Sequence, residues 1–244
     1  MMALAGGRMA DQRISRVRKE LLVFGTFSLL LLVLLGPWLA IGLDSDPTAG
    51  TGQGSALRQG LYLVLAGVML FAMKPLENYK RLLAIPGFLL LGLAWCWLSL
   101  TWAIEPAIAV RRLFLTTLIM WMLFASMRQL KFEEVVLMLR IVLVIILLCN
   151  YAAVFLLPEY GVHTGNEFDE FSLIGDWRGI LQHKNLAGAA CAITMIFFTF
   201  DRGKMPRWVQ IGVLLAAAIF LYMSNSKTSF GLGVAALSLG ALFL

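Results

Sequence analysis

Eight apolar windows leave this chain little freedom in how it folds. They run roughly over 21–41, 57–73, 82–102, 107–127, 135–157, 185–200, 208–223 and 230–244. A bilayer core about 30 Å thick is crossed by ~20 predominantly apolar residues. Within it each backbone N–H and C=O must find a partner inside the protein, a demand that a helix meets by itself. The expected fold is therefore an all-α polytopic transmembrane bundle of about eight spans. Composition agrees, with 60% hydrophobic and only 14% charged residues among 244, where a soluble domain carries about 25% charged.

The basic N-terminus followed by an apolar run resembles a signal peptide. The run is about twenty residues long and lacks an A-x-A cleavage site, so it reads as a retained first helix. Cys96, Cys149 and Cys191 lie inside apolar runs with no CxxC spacing and read as packing residues, neither disulfides nor metal ligands. The net charge of +6 belongs to loops rather than to a nucleic-acid surface. With the N-terminus inside, fourteen of the twenty basic residues fall on the inner side, Arg128, Lys131, Arg140 and Arg207 among them. That excess orients the chain with its N-terminus on the inner, cytoplasmic side of a membrane.

The resulting order is a basic cytoplasmic segment 1–20 and five helices over 21–157. A loop on the outer side follows over 158–184, then three helices over 185–244 with an outer SNSKTS turn between the last two. DSDPTAGTGQGS is a flexible outer loop, and Trp95, Trp97 and Trp102 mark an interfacial belt at the outer end of the third span. The last window stops at Leu244 without a polar flank, which suggests the N-terminal portion of a longer protein, truncated at the C-terminus.

Six basic residues lie on the unexpected side: Arg58, Arg111, Arg112, Arg178, Lys184 and Lys227. Each alone could snorkel to headgroup phosphates. Together, those at the outer ends of the fourth, sixth, seventh and eighth spans would form one cationic pocket. Arg as a fork, Lys as a point charge and helix N-termini as amide donors suit a phosphate-bearing ligand. Of Arg111 and Arg112 only one can face the bundle, since neighbours on a helix diverge by about 100°.

His183 stands at the loop-to-helix junction. It reads as an acid–base residue or as a diphosphate-binding or structural one. Asn185 is expected to cap the sixth span. His163 has no supporting pattern and is expected in solvent. The loop acids Glu159, Glu167, Asp169 and Glu170 read as solvated, without metal-ligand spacing, while Asp176 is close enough in sequence to orient Arg178. Gly179 and Gly188 fit a tight turn and a close helix approach.

Three stretches in this order, LSLTWAIEPAIAVRRL, RGILQHKNLAG and SNSKTS, span about Leu98 to Ser229. They resemble the O-antigen ligase and polysaccharide polymerase superfamily, in its exopolysaccharide-polymerase-like branch. The R-G-x-x-x-H-K-N-x-x-G element is the most specific of them. The resemblance implies a GT-C-like inner-membrane glycosyltransferase that moves glycan from an undecaprenyl-diphosphate carrier. The acceptor would be lipid A core or another carrier-linked glycan.

It further implies that outer arginines hold the diphosphate and that a loop histidine assists the acceptor hydroxyl, without a cofactor or metal. On this chain the binding residues would be Arg178, Lys184, Arg111, Arg112 and Lys227, and the catalytic candidate His183. The ligase-type catalytic histidine falls in a large loop beyond the end of this sequence. Lys227 stands where relatives often carry Arg, keeping charge and losing the bidentate fork.

Two other readings compete. A transporter or flippase would also hold an anionic substrate, although such proteins place charges near the midplane on interrupted helices. A non-catalytic membrane subunit would use the same arginines on anionic lipid. The orientation has its own test. A periplasmically active phosphatase fused at Gly165 should be active and one fused at Lys131 inactive; the reverse pattern would overturn the inside assignment of the N-terminus.

Overall fold

A computed structural model of the chain describes residues 2–35, 56–73, 84–164, 173–181, 183–200 and 205–242. The fold it shows is all-helical, with no strand among the described residues. In order come α1 (Met2–Leu35), α2 (Ala56–Met73), α3 (Gly87–Leu98) with a 3-10 turn at Ser99–Trp102, α4 (Pro106–Gln129) and α5 (Phe132–Leu156). The one-turn α6 (Pro158–Gly161), α7 (Lys184–Phe200), α8 (Arg207–Met223) and α9 (Lys227–Leu242) follow.

Three helices, α2, α4 and α5, are long and apolar enough to cross a membrane, which makes this a membrane protein. The expectation of about eight spans is met only to that extent. Among the described residues of the window 82–102, helix begins at Gly87 and tightens into the 3-10 turn at Ser99–Trp102. The last three windows form helices of 17, 17 and 16 residues, about 26 Å or less at 1.5 Å per residue. α1 carries the first apolar window as far as Leu35, and 36–41 lie outside the described residues, as does all of DSDPTAGTGQGS.

The chain divides into two compact units, Met1–Val136 and Leu137–Leu244. In the first, α1, α2 and α4 pack together around Leu29, Met69, Met73 and Met122, all essentially inaccessible. The buried Thr26 hydroxyl has the Leu22 carbonyl at 2.8 Å and Ser126 Oγ at 3.0 Å as acceptors, and Ser126 donates to the Met122 carbonyl at 2.7 Å. This clasp ties α1 to α4 with both hydroxyls satisfied, as an apolar surround demands. Trp97 Nε1 donates to Thr117 Oγ at 3.2 Å, pinning α3 to α4, and Trp95 meets Trp102 edge to face.

In the second unit α7 lies against both α8 and α9. Its buried stripe Ala187, Cys191, Thr194 and Phe198 repeats at four, three and four residues, the spacing of one helix face. Gly188 and Ala192 on α7 oppose Ser226, just ahead of α9, and Ser229 and Gly233 on it, and a Cβ on Gly188 would lie 2.7 Å from Ser226 Cβ. Small residues thus let the two helices approach closely and run side by side from their N-termini.

The C-terminal end of α7 is capped by long side chains. Arg140 Nη2 donates to the Phe197 carbonyl at 3.0 Å, and Gln210 Nε2 to the Phe198 carbonyl at 2.5 Å, supplying carbonyls that no later turn of the helix reaches. Arg140, read as part of the inner basic set, is in fact buried within α5 with its guanidinium over the Phe198 ring.

The α7–α9 approach predicts an asymmetry between glycines. Gly188→Val should lower the thermal stability of the detergent-purified protein by an overpacking cost of about 1–3 kcal/mol. Gly212→Val, where an added side chain meets open space, should leave the melting temperature nearly unchanged. Equal melting temperatures for both variants would contradict the seam.

Candidate functional site

The segment after α5 is built to fold back on the second unit. Pro158 opens the one-turn α6, its missing N–H harmless at a first helical position. Val162 then pairs with Trp177 in a single antiparallel bridge. His163 N–H donates to the Asp176 carbonyl and Gly175 N–H to the His163 carbonyl, both at 3.0 Å. The N–H groups of Arg178 and Gly179 both reach the Gly161 carbonyl at 2.9 Å. The two ends of the loop are thus stitched together, and 165–172 between them lie outside the described residues.

Two glycines make this possible. A Cβ on Gly161 would stand 2.5 Å from the Ala153 carbonyl carbon. Gly179 has φ +63 and faces the Asn150 side chain so closely that a methyl group would overlap it. Asn150, fully buried on α5, accepts the Ile180 N–H through Oδ1 at 3.0 Å. Trp177 N–H donates to the Met223 carbonyl at the end of α8, at 3.2 Å. Its ring meets Tyr151, Phe155 and Phe220 edge to face, with centroids 5.4–6.0 Å away. Such pairs add about 0.5–1.5 kcal/mol each beyond burial, so the loop is anchored by its aromatic ring as well as its backbone.

The charged residues of DWRGILQHKNLAG sit on this platform. Lys184 Nζ and Asp176 Oδ2 form an ion pair at 2.6 Å, their side chains 14% and 12% exposed. Sequence proximity suggests that Asp176 orients Arg178; the short pair is with Lys184 instead, which the start of α7 brings alongside. Arg178 is buried and its Nε donates to the Tyr160 carbonyl at 2.8 Å. Two of the candidate phosphate ligands therefore also hold the loop's own structure.

The start of α7 corrects two expectations. Asn185 does not cap the helix; it is the second residue inside it. The cap is His183, whose Nδ1 accepts the Asn185 N–H at 3.1 Å and whose carbonyl accepts from Leu186 at 3.0 Å. His163, expected in solvent, is 1% exposed, and its Nε2 accepts the Lys184 N–H at 3.4 Å. The only two histidines of the chain thus meet at one helix N-terminus with ring centroids 5.6 Å apart. Each is an acceptor there, which puts the His183 proton on Nε2 and the His163 proton on Nδ1. In this arrangement His183 offers a donor beyond the cap.

Asn185 has a different task. Its Oδ1 accepts from Ser226 Oγ at 3.0 Å and its carbonyl from Ser229 Oγ at 3.2 Å, with the two hydroxyl oxygens 2.9 Å apart. These bonds join the N-terminus of α7 to that of α9. Asn225, just ahead of Ser226, takes φ +48 after α8, a conformation asparagine tolerates better than most residues. Lys227 opens α9, exposed, with no ion pair among the described residues.

Arg111 and Arg112 lie on α4 in the other unit. Arg111 is half-buried and Arg112 exposed, in keeping with only one of them facing a neighbour. No group of three potential metal ligands occurs among the described residues.

Chemically, the arrangement offers two adjacent helix N-termini, each equivalent to about half a positive charge, with the ammonium of Lys227 at one of them. It is a place for an anion with several oxygens. Compared with family models, with characterised proteins and with solved structures, the chain finds no match.

The ion pair predicts strong non-additivity. Removing one partner leaves a charge in a site that excludes water, at a cost of up to about 3–5 kcal/mol. Lys184→Met and Asp176→Asn should each destabilise the purified protein markedly, and the double variant should be less damaged than the sum. Strict additivity in the melting temperatures would argue against the pair.

Proposed function

We propose that this chain is a glycosyltransferase of bacterial surface-polysaccharide assembly, polymerising or ligating glycan carried on undecaprenyl diphosphate. Its apolar helices form a GT-C-like bundle in the inner membrane, with the N-terminus in the cytoplasm and the α7 and α9 N-termini at the periplasmic face. One observation carries the reading. The R-G-x-x-x-H-K-N-x-x-G stretch and the S-x-S-x-T stretch, some forty residues apart, are joined by the Asn185–Ser226–Ser229 hydrogen bonds. Both motifs therefore serve one locus.

Transfer from a diphosphate carrier requires that the charge of the leaving diphosphate be stabilised, and preorganised donors aimed at that charge usually do most to lower such a barrier. In this reading Lys227 and the first-turn amides of α9 meet the diphosphate directly. Arg178 and Lys184 fix the loop beside it and contribute field. His183, donating from Nε2, orients the acceptor glycan. The carrier's lipid tail stays in the bilayer.

Lys227 is the sharpest probe, because an exposed lysine without an ion pair can be removed at little expense to the fold. Lys227→Ala in cells dependent on the full gene should reduce polymer or ligated product by about tenfold or more, the worth of a charge-assisted hydrogen bond. Glycan should accumulate on the carrier, and Lys227→Arg should restore transfer. Single repeats on the carrier would identify a polymerase and long unligated chains a ligase. A normal glycan profile in Lys227→Ala, with protein present in the membrane, would overturn the reading and favour a transporter.

A further inference from the structure

The other end of α7 carries a second feature, independent of the glycan reading. A cleft of about 420 Å³ opens between the last turn of α7 and the first half of α8, lined by Thr199, Arg207, Gln210, Ile211 and Leu214. Arg207, Ile211 and Leu214 stand at i, i+4 and i+7, so they line one face of α8. The cleft therefore changes character along its length. It begins at a guanidinium and ends, about 10 Å deeper at 1.5 Å per residue, on aliphatic side chains.

We propose that this cleft binds one anionic glycerophospholipid, with the phosphate on Arg207 and the upper acyl chain along Ile211 and Leu214. Three observations support it. Arg207 is exposed and forms no ion pair or hydrogen bond through its side chain among the described residues. The acids of the second unit that are described, Glu159 and Asp176, lie toward the opposite end of α7, and Asp176 is held by Lys184. Neither described carboxylate of this unit therefore competes for the guanidinium.

The N-terminal residue of α8 is preceded by Pro206, which contributes no side-chain cap. The first N–H groups of the helix thus point toward the same headgroup depth. The wall itself is preorganised, with Gln210 fixed to the Phe198 carbonyl at 2.5 Å and Thr199 Oγ to the Met195 carbonyl at 2.7 Å. Trp208, 76% exposed beside Arg207, is placed as an interfacial anchor at that level.

Free phosphate would use the guanidinium and leave the aliphatic half of the cleft empty. A zwitterionic lipid would bring its own cation up to Arg207. The gradient from Arg207 to Leu214 fits an anionic headgroup with a chain attached.

The test is native mass spectrometry of the full chain released from nanodiscs that contain equal phosphatidylglycerol and phosphatidylcholine. The wild-type protein should retain one phosphatidylglycerol. Arg207→Gln should lower that retention about tenfold, the effect of one charge-assisted contact, without changing the melting temperature. Ile211→Trp, which fills the apolar half and leaves the charge, should also displace the lipid. Undiminished retention in Arg207→Gln, equal retention of phosphatidylcholine, or complete displacement by inorganic phosphate would each overturn the proposal. Because none of these readouts involves glycan, they stand or fall apart from the transferase reading.

Discussion

A lysine ammonium that is largely hidden from water needs an anion beside it, and Asp176 at 2.6 Å from Lys184 supplies one. The placement of the two described ends of the loop follows from that need. Asp176 can reach Lys184 only if the chain between them folds back onto α5 and α8. This fold is set by the Val162–Trp177 bridge, the paired N–H groups on the Gly161 carbonyl and the Trp177 ring among three aromatics. Isolated, an ion pair of this kind contributes little net stability, because desolvation offsets most of the attraction. Its value is in specificity, since any other register of the loop would strand both charges.

The second constraint is electrostatic. Running α7 and α9 side by side from the same end brings two positive helix termini together, an arrangement that repels itself. The structure relieves part of this with neutral acceptors. Two imidazole nitrogens take the first N–H groups of α7, and Asn185 takes hydroxyl protons from Ser226 and Ser229. None of these acceptors carries a negative charge. Lys227, exposed at the start of α9, adds a cation. The locus is satisfied in hydrogen bonds yet still positive in potential, and that remainder is what an anionic ligand would complement.

The helices were legible in the sequence because an apolar run of this length has few alternatives. Even the second window, which opens with Arg58 and Gln59, is helical from Ala56. Their lengths were less legible. A hydropathy window registers where apolar residues stop and is blind to a 3-10 turn at Ser99 or a cap at His183. The site residues divide the same way. Gly179 and Gly188 are expected at a turn and a close approach, and their surroundings show why no side chain fits. His163 left no trace, because its burial depends on a loop closing twenty residues later at His183. Asn150 did leave a signal, as a lone amide inside IILLCNYAAVFL. Its partner, the Ile180 N–H, follows only from the tertiary fold. Proximity along the chain pairs Asp176 with Arg178, whereas helix geometry delivers Lys184.

These distinctions bear on how the basic residues divide their work. Arg178 and Lys184 are tied into the protein through a backbone carbonyl and a carboxylate, while Lys227 is exposed. A residue already bound to the protein can bind a ligand only by exchanging partners, and the exchange reduces the net gain. An exposed lysine gives up only water. Loss of Arg178 or Lys184 therefore perturbs the platform itself, whereas loss of Lys227 leaves its bonds intact. The concentration of positive charge in DWRGILQHKNLAG is thus a structural solution before it is a binding one. Its cations hold the described ends of the loop beside the α7 N-terminus, through the Tyr160 carbonyl and the Asp176 carboxylate.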